Sequence, residues 1–384
     1  MTSQHPNIEP ALKALADALH GEGPAVELST GPDGNVAVSA VDTPGYEDAA
    51  VVVRTSGSTG TPKATVLTVD ALAASSVATA FALRGEGQWL LALPVQYVAG
   101  VQVLVRSLFA GTRPWAMDLS GGFTPEAFTE AALELTDKLR FTSLVPTQLQ
   151  RLLDSPSAGT LAVLRRFNGI LLGGGPAAPE LLAAARDAGV RVVTTYGSAE
   201  TCGGCVYDGV PLEDVLVRVA EDGRILLGGA TVAAGYLDAP ELTAEAFVED
   251  DGVRWYRTND LGELDDDGKL TVLGRADDVV ITGGVKVSAA HVQAELEKLD
   301  GVRAAFVAGV PSAEWGQALA AYVALADNTP DSVRAFTADA AWAPALGALA
   351  PKTVLAAGEL LMLPNGKPDR LAMTVRLTEL HQGK

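Results

Sequence analysis

Cysteine is nearly absent from this chain: Cys202 and Cys205 are the only two in 384 residues. A disulfide framework is therefore excluded. Their C-x-x-C spacing suggests a redox pair or half of a zinc site, but zinc needs two more ligands. The four histidines, His5, His20, His291 and His381, stand singly. The pair reads better as two small buried side chains flanking Gly203 and Gly204. Positive charge is also scarce, with 28 Lys plus Arg against 47 Asp plus Glu and a formal charge of −19. That balance argues against nucleic acid or an anionic membrane as partner, and any anionic substrate must find local positive charge. No apolar run is long enough to cross a bilayer, and Met1 to Pro10 lacks the basic flank and apolar core of a signal peptide. A soluble, cytoplasmic protein is expected.

What is present is globular in texture, with 48% hydrophobic and 20% charged residues and length enough for more than one domain. Leu12, Leu15, Ala16 and Leu19 mark one face of a first helix, and short strands flank a turn at Pro32 to Gly34. From Trp89 to Tyr196 strands alternate with helices, the last predicted pairs being Phe141–Val145 with Thr147–Leu153 and Gly169–Leu172 with Pro179–Ala188. Such alternation predicts an α/β fold, a mostly parallel sheet covered by helices with ligands at the strand ends. From Val215 to Leu273 short strands are separated by Asp-Gly turns at 222, 251 and 267, which predicts an antiparallel or barrel-like subdomain. Beyond it the order becomes that of a small α+β domain. The expected division is 1–276, including a β-rich subdomain at 211–274, and a C-terminal domain at 277–384.

The most informative stretch is Thr55-Ser56-Gly57-Ser58-Thr59-Gly60-Thr61-Pro62-Lys63, placed after a buried strand at Ala50 to Arg54. Two glycines let backbone bend round an anion, the hydroxyls of Ser56, Ser58 and Thr59 can donate to phosphate oxygens, and Lys63 adds a point charge. It is no Walker A loop, because no Lys-Ser or Lys-Thr follows either glycine. Taken alone it is equally a Gly/Ser/Thr surface loop. The string resembles the phosphate-binding loop of the acyl-adenylate-forming superfamily of acyl-CoA synthetases, adenylation domains and luciferases, a resemblance that covers roughly Val51 to the end. The chain is shorter than typical members, mainly in its N-terminal region.

Five further strings, in the expected order, carry the resemblance. Gly173-Gly174-Gly175-Pro176 ends a strand and by resemblance lies against adenine. Tyr196-Gly197-Ser198-Ala199-Glu200-Thr201 resembles the aromatic-Gly-x-Thr-Glu motif, with Ala199 where Thr is usual; Tyr196 would stack on the base and Glu200 would hold Mg²⁺ on the nucleotide. Asn259-Asp260 resembles a Thr-Gly-Asp element whose Asp accepts from ribose hydroxyls, with Asn259 tolerating the positive φ expected of the missing glycine. Gly274-Arg275-Ala276-Asp277-Asp278 resembles the inter-domain hinge, with Asp277 as pivot of a mobile C-terminal lid, and Leu363 to Arg370 resembles the loop carrying the catalytic Lys367.

The resemblance implies an AMP-forming ligase using ATP, Mg²⁺ and coenzyme A, with Lys367, Glu200 and Lys63 in catalysis. Around Tyr97, Val145-Pro146-Thr147 and Glu200 to Tyr207, the strings resemble the branch of the superfamily that ligates succinylbenzoate in menaquinone biosynthesis, in its compact actinobacterial form. Tyr97, Thr147, Gly203 and Gly204 would line the acyl site, the two glycines leaving room for a flat ring. Arg106 would pair with the carboxylate that is not activated, the alternative being an arginine on a helix surface. A CoA ligase for another acid, an amino-acid adenylation domain and a nucleotide-binding regulatory protein stay open as rivals, as does a homodimer.

Overall fold

The computed structural model describes residues 6–31, 34–55, 63–154, 156–327, 329–340, 342–363 and 368–383. Ser56 to Pro62 and Lys367 lie outside the described residues. Contacts divide the chain into two compact units. The first comprises Met1–Arg218, Leu226–Thr258 and Leu264–Leu270; the second comprises Val219–Ile225, Asn259–Glu263 and Thr271–Lys384.

Two sheets lie wholly within the first unit. Helix Glu9–Leu19 buries Ala11, Leu15 and Ala18, an i, i+4, i+7 stripe one position away from the predicted face. Strands Ala25–Thr30 and Val36–Val41 pair antiparallel, and Ala25–Thr30 runs parallel to Ala49–Thr55. Within Ala49–Thr55 the apolar run Ala50 to Val53 is buried, as its branched residues predict, while Arg54 is exposed. Its partner is a strand that sequence periodicity missed, Lys63–Thr68, paired antiparallel so that Lys63 lies opposite Thr55. The candidate phosphate loop therefore links two neighbouring strands. Thr68 then caps helix Val69–Ala82, its hydroxyl accepting from the Ala71 amide.

The second sheet contains parallel strands Trp115–Ala116, Gln88–Leu91, Arg140–Leu144, Gly169–Leu172 and Val192–Ser198, in that spatial order. Two antiparallel strands, Gly203–Tyr207 and Val210–Pro211, extend it. Helices Pro125–Leu133, Pro146–Leu153, Ala158–Leu164 and Pro179–Asp187 cover one face, over a core of Phe128, Leu149, Phe167 and Ile170. Two of these elements differ from expectation. The sequence pattern predicts a helix from Pro125 to Leu139, which stops at Leu133, and Ala158–Leu164, a short helix capped by Ser157, carries too few turns to show a period.

Because the strands are parallel, the loops that leave their C-terminal ends share one edge. The chain steps outward to Trp115–Ala116 on one side of Gln88–Leu91 and returns to Arg140–Leu144 on the other. That reversal marks a topological switch point beyond Leu91 and Leu144, the usual ligand position in such sheets.

Asp251 and Gly252, at φ 48° and 74°, close an antiparallel hairpin between Phe247–Asp250 and strand Val253–Leu264. Asn259 lies within that strand and does not have positive φ. The turn expected there is absent, so extended backbone accommodates asparagine without the freedom a glycine would supply.

In the second unit, strands Val302–Ser312 and Gly316–Leu325 form a long antiparallel pair. Side chains alternate between two cores: Leu319, Ala321 and Val323 face helix Ala289–Glu297, while Ala318, Ala320 and Tyr322 face helix Arg370–Gln382. Hairpin Val279–Thr282 with Val285–Ser288 and parallel strand Thr353–Ala357 complete the sheet.

Candidate active site

Four predicted strings leave the same sheet edge. Tyr97 follows Gln88–Leu91 and precedes helix Val98–Phe109; Thr147 is exposed on the first turn of Pro146–Leu153. Gly173 to Pro176 follow Gly169–Leu172, and Tyr196 to Ser198 end the next strand. Register joins Leu144 to Leu172 and Leu172 to Thr194, which brings the loops beyond them side by side. Gly173 must be small, since a Cβ there would lie 2.4 Å from Thr195 Oγ1.

Glu200 sits in the turn that reverses Val192–Ser198 into Gly203–Tyr207. Thr201 ties this turn from inside, its hydroxyl accepting from the Ser198 amide at 3.0 Å and donating to the Gly203 carbonyl at 2.8 Å. The next residue, Cys202, takes a left-handed conformation, φ 52° and ψ 35°. Its carbonyl accepts from Gln102 Nε2 at 2.6 Å and Ser75 Oγ at 3.2 Å. Two helices thus grip a conformation that costs a non-glycine residue about 1–3 kcal/mol.

Only 6% exposed, Glu200 accepts one hydrogen bond at Oε1, from Tyr236 Oη at 2.8 Å. The Ala233 amide donates to its backbone carbonyl at 2.9 Å. No basic side chain pairs with its carboxylate among the described residues. Such a group, with Oε2 free of protein donors among those residues, fits a small hard cation that takes one or two protein carboxylates. Lys63, 137 residues earlier in sequence, lies with Nζ 4.9 Å from the Tyr236 ring centroid. Tyr236 belongs to none of the motif strings; its place follows from strand pairing.

Arg106 is 6% exposed, which corrects the surface-helix alternative. Its guanidinium stacks 5.2 Å from the Trp89 ring centroid, and its Nε has no hydrogen-bond partner. Burial pushes its pKa below the ordinary arginine value, partly offset by Tyr207 and Cys202. Gln102, one turn earlier on the same face, likewise leaves Oε1 buried and unpaired. Gly203 is required by its φ of 95°, since a Cβ there would meet only Gln102 Cγ at 3.6 Å and Val98 Cγ2 at 4.0 Å, ordinary contacts. A Cβ on Gly204 would press on Thr195 at 2.9 Å, so Gly204 also serves the packing of the hairpin.

Cys202 and Cys205 are reduced and buried, as the sequence suggests, and burial pushes the Cys205 thiol up to about 12. They are inert packing residues. No described helix is long and apolar enough to cross a membrane.

The second unit places the predicted hinge in a turn, Ala276–Asp278, between strands Leu270–Arg275 and Val279–Thr282. Arg275 Nε and Nη2 each donate to an Asp277 carboxylate oxygen at 2.8 Å. This fork holds Asp277 below the usual carboxylate range and raises Arg275, to which Asp260 and Asp278 also contribute. Asp278 pairs with Arg370, whose guanidinium also lies over the Phe306 ring. Asp369 caps the helix that follows, accepting from the Ala372 amide at 3.0 Å.

Comparison with known proteins matches residues 4–237 to the family described as "AMP-binding enzyme". The chain is 41% identical over 372 residues to the "Probable 2-succinylbenzoate–CoA ligase" of Mycobacterium tuberculosis, covering 95% of this chain and 94% of that protein. Among solved structures it is similar to o-succinylbenzoate CoA synthetase from Bacillus subtilis in complex with the acyl-adenylate intermediate. That match has a TM-score of 0.70 and 26% identity, covering 88% of this chain and 70% of the other. The same Bacillus enzyme with ATP and magnesium ion matches with a TM-score of 0.68 and 25% identity, over 84% and 69% of the two chains.

Proposed function

Because the chain belongs to the AMP-binding enzyme family, we propose that it is an ATP-dependent ligase joining 2-succinylbenzoate to coenzyme A, a step of menaquinone biosynthesis. The observation that carries the substrate is similarity along almost the whole length of both chains to a protein so named, 95% of one and 94% of the other. Arrangement of the candidate residues on one sheet edge supports the chemistry.

A carboxylate must be activated before a thiol can displace its oxygen. One carboxylate oxygen attacks the α-phosphorus of ATP, the bond to the β-phosphate breaks, and pyrophosphate leaves. The thiol of CoA, losing its proton to solvent, then attacks the acyl carbon and AMP departs. The first step brings anion onto anion, so the protein's task is neutralisation and positioning.

Mg²⁺, when bound, would neutralise phosphate oxygens, and Glu200 is the carboxylate that would hold it. Thr55, Ser56 to Gly60 and Lys63 would receive the pyrophosphate. Gly173 to Pro176, Tyr196, Gly197 and Ser198 would embrace the adenosine, with Asp260 on the ribose and Arg275 beside it. Tyr97, Thr147, Gly203 and Gly204 would border the acyl group. Arg106, about 12 Å along its helix from Val98, packs against Trp89 and Tyr207. A buried guanidinium with an unpaired Nε suits a spectator carboxylate, which would supply the missing countercharge. We assign Asp277 as the pivot between a domain at 1–276 and one at 277–384, and Lys367 as the residue bridging carboxylate and α-phosphate.

The test is mass spectrometry of products from purified protein, Mg·ATP, CoA and 2-succinylbenzoate. The CoA thioester of the succinyl carboxylate is expected. Turnover of benzoate or an amino acid, with none of succinylbenzoate, would overturn the substrate while sparing the adenylation chemistry.

A further inference from the structure

Tyr236 joins two charges that the chain places far apart in sequence. It occupies the two-residue strand Gly235–Tyr236, which pairs with Lys63–Thr68 so that Tyr236 lies opposite Thr65. Lys63 is two residues from Thr65 and therefore on the same face, diagonally adjacent to Tyr236. This register puts the Lys63 ammonium 4.9 Å from the ring centroid. The phenol points the other way, donating to Glu200 Oε1 at 2.8 Å.

The tyrosine is itself immobilised. It is 1% exposed, its ring packs edge-on to Phe247 at 5.3 Å and 65°, and its amide donates to Thr243 Oγ1 at 2.9 Å. Tyr46 Oη donates to its carbonyl at 3.3 Å. Held in this way, the phenol is aimed at Glu200 and serves it as a donor. With Oε1 so engaged, the carboxylate has a fixed orientation and Oε2 remains for a ligand. An ammonium over the ring face, meanwhile, is attracted by the aromatic quadrupole.

We propose that Tyr236 is a positioning residue that orients the Glu200 carboxylate toward the metal through its hydroxyl and docks Lys63 toward pyrophosphate through its ring. The inference rests on the reading of Glu200 as metal ligand and Lys63 as pyrophosphate contact, given above. Two contacts made by different parts of one side chain can be removed separately. Tyr236→Phe deletes the hydroxyl and keeps the ring; Tyr236→Leu deletes both.

The experiment is titration calorimetry on the whole protein. ATP binding is measured at varied Mg²⁺, inorganic pyrophosphate binding is measured separately, and melting temperature serves as a folding control. Tyr236→Phe should raise the Mg²⁺ concentration for half-maximal ATP binding by about tenfold, the scale of a lost hydrogen bond to a charged group. Its pyrophosphate affinity should match wild type. Tyr236→Leu should show the same Mg²⁺ shift and weaken pyrophosphate by a further several-fold, about what one cation–π contact supplies.

Unchanged Mg²⁺ dependence in Tyr236→Phe would overturn the inference. So would equal loss of both ligands in Tyr236→Phe, which would reduce Tyr236 to general structural support. Glu200→Gln separates the inference from the reading beneath it. If Glu200→Gln leaves Mg²⁺ dependence intact, the metal assignment fails and the inference falls with it; if Glu200→Gln loses that dependence and Tyr236→Phe does not, the inference alone fails.

Discussion

The two units manage charge in opposite ways. In the first, Glu200 and Arg106 are each 6% exposed, and neither has a partner of opposite sign among the described residues. Neutral groups hold them: a phenol for the acid, and an indole face and a phenol for the base. In the second unit, Arg275–Asp277 and Asp278–Arg370 are matched pairs in partial contact with water, with Arg370 half-exposed and Asp278 more covered. A buried charge without a countercharge is costly, and it persists where a ligand of the opposite sign completes it. Exposed pairs contribute little to stability, commonly under about 1 kcal/mol, so they can break and re-form as a chain segment moves. The first unit leaves its buried charges for a ligand to complete, and the second pairs its charges within itself.

The largest effect should come from removing the charge assigned to the second unit. Lys367→Ala is expected to slow adenylate formation by roughly 10²–10³-fold, the scale of losing one preorganised transition-state partner. Thioester formation from pre-made acyl-adenylate should be largely spared, which single-turnover assays of the two half-reactions would reveal. Equal damage to both would erase the distinction between the units.

Next is the fixed charge of the first unit. Arg106→Leu should raise KM for 2-succinylbenzoate by an amount equivalent to about 2–5 kcal/mol, leave KM for ATP nearly unchanged, and have no effect on an analogue lacking the ring carboxylate. Steady-state kinetics on both acids is the measurement. Little change in either KM would assign Arg106 to packing against Trp89.

Asp277→Pro addresses the pivot. Proline fixes φ near −65°, so a residue whose dihedrals must change between states would be frozen in one of them. One half-reaction should collapse while the other survives in the same folded preparation. Retention of both would mean that no pivot operates at this residue.

The smallest effects belong to the exposed pairs. Arg370→Gln should lower stability by no more than about 1 kcal/mol in chemical denaturation; a loss of several would contradict the description of this pair as weak. For Asp277 the sign is set by its depressed pKa. The Arg275 fork contributes stability above the ordinary carboxylate value of 3.8, and that contribution disappears as pH falls through the lower folded value. Melting curves of Asp277→Asn and wild type should therefore differ by a constant amount above about pH 5 and converge in stronger acid.

Much of this organisation was legible in the chain. Apolar runs at Ala49–Thr55 and Gly169–Leu172 mark buried strands, because a residue inside a sheet must be apolar on both faces. Alternation of strands with helices between Trp89 and Tyr196 determined a parallel sheet, and parallel strands put their outgoing loops on one edge. The motif strings therefore located Tyr97, Gly173 and Glu200 near that edge without coordinates, since local backbone chemistry is written locally. Asp-Gly steps marked the hairpins for the same reason: at 251 and 252 the turn demands φ above zero at both residues.

Tertiary structure alone decided the rest. Lys63–Thr68 is a strand because Ala49–Thr55 and Gly235–Tyr236 lie on either side of it, and Asn259 needs no glycine because its strand is extended there. Arg106 reads from sequence either as the partner of a carboxylate or as a helix-surface arginine, and it is buried because Trp89 and Tyr207, from two strands, lie against it. Tyr236 carries no signal in its own neighbourhood. Its hydroxyl meets Glu200 and its ring meets Lys63 only because residues 36 and 173 positions away pack beside it. Sequence specifies what each segment can form, through short-range dihedral and periodic preferences; which distant side chain completes a buried charge depends on packing, which is settled only when the segments assemble.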